Sequence, residues 1–276
     1  MITAETDQNL SLTEEAKELY FKNLTPEQVE CRRKGMPMEM GSIVYFNFDQ
    51  RRHVPDKLEV PFSWKGPLEP PDDWNRAYAI DPHGGKPHAV LFVAWSETAV
   101  VLYHEIWDKC LLADKEEAGV VIPGLATKIK SVMKDQYFNF QRCDPIAWNA
   151  DPVGGRVWAQ IFWDMGLEPL RAPKCPEIGA IQARGLWSET QRRVIVLPRL
   201  KRFLKEIRIY HYDDEGKPVD EENDMMENFY RLALVTNNFK FRPNPVRIKG
   251  PRPASAGLTD ESMDLTLPES AQNLTT

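Results

Sequence analysis

The sequence predicts an α/β domain built on a mixed β-sheet flanked by helices. Three observations predict it. The apolar runs RAYAID, HAVLFVAW and AVVLYHEIW follow one another with short links and read as an antiparallel meander. Downstream, strand-like and helical segments alternate, the order of an α/β chain. With 276 residues, 42% of them hydrophobic and 28% charged, the chain can bury one large core.

Residues 1–40 read as helical and peripheral, with Thr25, Pro26, Glu27 and Gln28 forming a capping box and Gly35 as the stop. GSIVYFNFD (41–49) reads as a strand, with Val44, Phe46 and Phe48 on one face. Residues 54–74 are Pro-rich and read as extended. The core begins at Arg76. RAYAID ends in Asp81, and the turn PHGGKP leads to strands over 88–95 and 99–107. A helix is predicted over about 123–134. FNFQRCD (138–144) is ambiguous between helix end and strand, and PIAWNAD (145–151) reads as a short strand ending in an acid. Then come a helix over 153–166 closed by Gly166, a strand at EPLRAP, a helix over 177–187 and a strand at VIVLP. Helices around RLKRFLKEIRIY and DMMENFYRLALV complete the domain, and the chain beyond Gly250 reads as a disordered tail. The expected organisation is a lead-in over 1–75, a domain over 76–240, and a basic Pro-rich segment with tail over 241–276.

Composition narrows the function classes. No run approaches the ~18 apolar residues that span a bilayer, and MITAETDQNLSLTEE lacks the features of a secretory signal, so no membrane role is expected. Cys31, Cys110, Cys143 and Cys175 are scattered, with no C-x-x-C pair; they read as reduced, small core residues rather than zinc ligands. The net charge of −6 does not by itself favour a nucleic-acid partner. Acids nevertheless concentrate in 213–227 and bases in 192–208 and 240–252, so a basic track is available to a phosphate backbone.

The candidate chemistry lies in acids placed where folding does not require them. Metal-assisted phosphodiester hydrolysis needs carboxylates from separate elements converging on hard cations. Asp81 ends an apolar strand before a turn with two glycines; the bland alternative is an ordinary turn-initiating Asp. Asp151 and Asp144 compete for the second position. Asp151 is preferred because it ends the expected strand IAWNAD, and ligands bind outside the carboxyl ends of strands, whereas Asp144 precedes that strand. Asp151 would otherwise be a helix N-cap before Pro152. The third contribution comes from the helix over about 221–235. With Asp224 at zero, Glu227 lies at about 300°, Asn228 at about 40° and Arg231 at about 340°, one polar seam on a helix otherwise apolar nearly all round. A cation would relieve the repulsion between Asp224 and Glu227; Arg231, four residues after Glu227, would do so as well.

These residues carry a resemblance. AIDPHGGKPHAVLFVAW, IAWNADPVGG and the closing segment RFLKEIRIYHYDDEGKPVDEENDMMENFYRLAL, in that order, resemble the nuclease domain of viral terminase large subunits, of the RNase H-like superfamily. The resemblance covers about 70–235. It implies a metal-dependent endonuclease cutting double-stranded DNA during genome packaging, with Asp81, Asp151, Asp224 and Glu227 holding two Mg2+ or Mn2+ ions. It implies as partners DNA, the terminase ATPase and small subunit, and the portal protein, in the host cytoplasm. Asn223, Glu227, Asn228 and Arg231 depart from the helix motif of that family, D-[DH]-x-x-D-A-x-x-Y. No G-x-x-x-x-G-K-[ST] phosphate loop is present, so this sequence is expected to be a nuclease part apart from its ATPase half. Arg192, Arg193, Lys201, Arg202 and Lys205 are candidate DNA contacts, although such runs are commonly solvated helix faces. The alternatives are an RNase H-like resolvase or transposase-type nuclease, and a docking module of the same fold that does not cut.

Overall fold

The computed structural model describes residues 43–55, 69–134, 136–149, 157–188, 192–213 and 215–242, with Thr13, Trp64 and Gly155. The expected capping box at Thr25, most of the Pro-rich stretch, Asp151 and the tail lie outside these residues.

Strands β1 (Asn75–Asp81) and β2 (His88–Trp95) are buried at every position, because each is central in its sheet and covered on both faces. With β3 (Ala99–Asp108) they form the expected antiparallel meander, Asp81 lying opposite Ala89 and His88 opposite Asp108. A two-stranded ribbon, β4 (Lys115–Glu117) and β5 (Val120–Ile122), projects after β3 and stays exposed; no pattern in its residues announces it. The segment left ambiguous becomes β6 (Phe140–Cys143), parallel to β1. The short β7 (Leu170–Arg171) and β8 (Arg193–Val196) join in parallel at opposite edges, giving the order β7-β6-β1-β2-β3-β8.

Among the described residues six helices accompany the sheet: α1 (Gln50–His53), α2 (Leu125–Met133), α3 (Trp158–Asp164), α4 (Pro176–Trp187), α5 (Lys201–Ile209) and α6 (Asp224–Val235). Gly166, at φ +73°, follows α3 as the sequence expects of a helix stop. Helix α6 lies across β1 and β2. In β1 the small residues Ala77 and Ala79 share a face with Asp81, by the two-residue period of a strand, and Arg231 of α6 reaches Asp81 on that face. Phe229 of α6 is ringed by Tyr45, Trp187, Phe203 and Phe239. Helix α4 packs closely on α6, and a Cβ at Gly179 would fall 2.4 Å from the Tyr230 ring.

Two helices are capped from a distance. Neither Leu200 before α5 nor Asn223 before α6 caps its helix with its own side chain. Instead Glu105 of β3 accepts the backbone N–H groups of Arg202 and Phe203 at 2.8 and 2.9 Å. Glu206 of α5 in turn accepts those of Met225 and Met226 at 2.7 and 3.3 Å. A carboxylate at a helix N-terminus also meets the positive end of the macrodipole.

Three expectations are corrected. Residues 43–49 are not a strand: Ile43 makes one isolated bridge to His211, the chain turns, and Asp49 caps α1 through the Arg51 N–H. Both Val44 and Tyr45 turn into the core while Phe46 stays 42% exposed, so the alternation has no pairing partner to act on. Residues 145–148 form a 3-10 turn rather than a strand, because Asp144 caps them through the Ile146 N–H and Pro145 fits a first-turn position. Among the cysteines, Cys143 is in the core, Cys110 is half-buried and Cys175 is exposed. No helix among the described residues is long and apolar enough to cross a membrane.

Candidate metal centre

Four acidic side chains meet beside the carboxyl ends of β1 and β6. Asp81 is the last residue of β1, and Asp144 follows β6, the neighbouring parallel strand. Asp224 and Glu227 come from the first turn of α6, lying across them. Asp81, Asp144 and Asp224 are at most 5% exposed, so none is an ordinary solvated acid. One oxygen from each of Asp81, Asp144 and Glu227 lies within 4.8 Å of the other two; ligand atoms of Asp81, Asp224 and His83 form a second group within the same limit.

The reason for preferring Asp151 to Asp144 no longer holds. The strand that ends in an acid is β6, and its acid is Asp144; the segment before Asp151 is a turn. Asp151 itself lies outside the described residues.

Arg231 divides the centre. It is wholly buried, donates to Asp144 and Glu227, and lies 3.3 Å from Asp81 Oδ2. Asn228, one turn earlier, is also buried; its Nδ2 donates to the Ala89 carbonyl at 3.1 Å and its Oδ1 lies 3.4 Å from Arg231. The polar seam read from the helical wheel is therefore real, and it points inward. On the other side, His83 Nε2 lies 3.0 Å from Asp224 Oδ1 and 3.8 Å from Asp81 Oδ1. Lys86 Nζ reaches the same Asp224 oxygen at 2.6 Å from the Gly84-Gly85 turn. His88 fixes that turn: its Nδ1 accepts the His83 N–H at 2.9 Å and its Nε2 donates to the Cys110 carbonyl at 2.7 Å.

These surroundings set the charge states. Burial pushes the Asp81 carboxyl above its ordinary range, against the pull of Arg231 and His83. Burial likewise lifts Glu227 to about 7, with Arg231 opposing and Asp81 and Asp144 adding to the rise. Asp224 goes the other way. Burial would raise it, but His83 and Lys86 outweigh burial and hold it below the usual carboxylate value. Burial disfavours the Arg231 charge, yet Asp81, Glu227 and Asp144 more than compensate and raise its pKa. Carboxylates crowded until some resist ionisation suit a site that takes up a cation. Oxygen donors with a single imidazole suit Mg2+ or Mn2+.

The basic candidates separate by their partners. Arg192 donates to the Asn238 and Phe239 carbonyls at 2.8 and 2.5 Å. Arg202 stacks 4.1 Å over Trp107 and pairs with Glu206, and Lys205 pairs with Glu222 at 2.7 Å. Arg193 and Lys201 are exposed. Sequence reasoning ranked Asp144 below Asp151 and gave no role to His83 or Lys86, which the structure places beside Asp224. A His two residues after the strand-ending acid, and a Lys two glycines further on, were the available signals.

No protein-family model and no curated protein matches this sequence. Solved structures do. The nuclease domain of the P22 large terminase is matched over 70% of this chain and 92% of its own length, at 16% identity and a TM-score of 0.51. The large terminase of a thermophilic bacteriophage, in complex with ADP, matches 83% of this chain at 15% identity and a TM-score of 0.48. The present chain spans 53% of that longer protein. The cobalt-bound large terminase nuclease of thermophilic phage G20c matches 71% of this chain and 97% of its own, at 15% identity and a TM-score of 0.41. The sheet order and the P22 match together show that this chain has the RNase H-like fold of a phage large-terminase nuclease domain.

Proposed function

We propose that this protein is a divalent-cation-dependent endonuclease that cuts double-stranded DNA during viral genome packaging, in the host cytoplasm. One observation carries the reading: four acidic groups, three of them buried, converge from two parallel strand ends and one helix. Folding alone does not favour that, because each buried carboxylate costs several kcal/mol unless it is compensated. The P22 protein with the same fold is described as a large terminase nuclease domain, which supports the same chemistry here.

A bound Mg2+ or Mn2+ ion would supply charge neutralisation and Lewis acidity toward a phosphoryl oxygen. Asp81 and Asp224 would hold it, with His83 beside them; Asp151 remains a proposed contributor. The protein's own side chains do the rest. His88 fixes the turn carrying His83 and Lys86. Lys86, 53% exposed at the mouth of the site, is placed to meet the anionic backbone. Exposed Arg193 and Lys201, together with Lys205, are proposed backbone contacts, which position DNA without reading its bases. Terminase ATPase, small subunit and portal protein are the proposed partners.

The test is nicking of supercoiled plasmid by the purified protein with Mn2+, beside Asp81→Ala. Metal-dependent nicking by the wild type, reduced to background in the variant, is expected. The engagement of three of the four carboxylates by Arg231 favours one second reading, a docking module of the same fold that does not cut. Absence of nicking at every Mn2+ concentration would select it.

A further inference from the structure

We propose that the Arg231 guanidinium is the site's built-in second cation, so that the protein holds one divalent ion, between Asp81 and Asp224, rather than two. The inference rests on the nuclease reading and concerns how that site is loaded.

The carboxylate oxygens are unequally occupied. Both oxygens of Asp144 are engaged, Oδ1 by the Ile146 N–H at 2.6 Å and Oδ2 by Arg231. Glu227 Oε2 accepts from the same guanidinium, and Asp81 turns Oδ2 toward it at 3.3 Å. Arg231 is fully buried, and Asn228 links it to the Ala89 carbonyl of β2. An ion entering this half would have to expel a buried arginine from three carboxylates, stranding a charge with no solvent to receive it.

The other half differs in each respect. Asp81 Oδ1, Asp224 and His83 Nε2 face one another there. The cation now present is Lys86, on a flexible stem and 53% exposed, so it can leave for water at little cost.

Titration of the full chain with Mn2+, followed by equilibrium dialysis and electron paramagnetic resonance, tests this. Saturation at one ion per chain is expected, with the spectrum of an isolated ion persisting in excess metal. Two ions per chain, or the exchange-coupled spectrum of a close pair, overturns the proposal. In Arg231→Gln a second ion is expected to enter; a folded variant still limited to one ion overturns the assignment. Should that variant not fold, the wild-type stoichiometry and spectrum decide. Two ions bound with plasmid nicking defeats this inference and leaves the nuclease reading standing. One ion bound without nicking does the reverse, and no ion bound defeats both.

Discussion

Arg231 and Lys86 are both cations among the same acids, and burial makes them unlike. Arg231 cannot be removed without leaving Asp81, Asp144 and Glu227 uncompensated out of water. Arg231→Met, without metal, is expected to lose about 3–5 kcal/mol of stability in urea unfolding, the range found when one partner of a buried ion pair is deleted. A loss below about 1 kcal/mol, the level of a surface pair, would show that the three acids do not depend on it. Lys86 is a competitor rather than a support. Lys86→Met should tighten Mn2+ binding several-fold, since an exposed pair contributes up to about 1 kcal/mol, and calorimetric titration would show weaker binding if the lysine instead helps hold the ion.

At the scale of elements, the placement of α6 decides the geometry of the site. Gly179 lets α4 approach it, and Gly179→Ala puts a methyl group 2.4 Å from the Tyr230 ring. Overpacking of this kind costs about 1–3 kcal/mol, and the shift of α6 should weaken Mn2+ binding in the same variant. Helix α1 supplies a pH-dependent term. His53 is buried against Phe48 and Trp187, its Nδ1 accepts the Asp49 N–H at 2.9 Å, and burial pushes its pKa down to about 4. The unfolded chain therefore takes up this proton first. The His53 contribution is complete above about pH 6.5 and is lost as pH falls toward 4. His53→Gln should flatten the fall in melting temperature over that interval, and an unchanged slope would count against the assignment. The long central strands and α6 were legible in the sequence because their patterns are long and their burial is complete. The 43–49 turn was not, since alternation without a pairing strand specifies nothing. Nor was the role of Asp144, because four residues such as FQRC become a strand only through the neighbour they pair with. Arg231 was visible as the partner of Glu227 four residues earlier, but its reach to Asp81 and Asp144 is a product of tertiary packing.

For the whole molecule, a ligand that binds only the folded chain must raise its stability by mass action. Mn2+ at a hundred times its dissociation constant should add about 2.7 kcal/mol, seen as a higher melting temperature that EDTA reverses. Asp224→Asn should abolish most of that gain. The two distant caps extend the effect beyond the pocket. The sheet, through Glu105, holds the start of α5, and α5, through Glu206, holds the start of α6, where Asp224 lies. The acidic cluster is thus coupled to the sheet through a relay of two caps. Ion uptake should be felt backwards along that relay: amide exchange would slow not only at Met225 and Met226 but also at Arg202 and Phe203, which touch no candidate ligand.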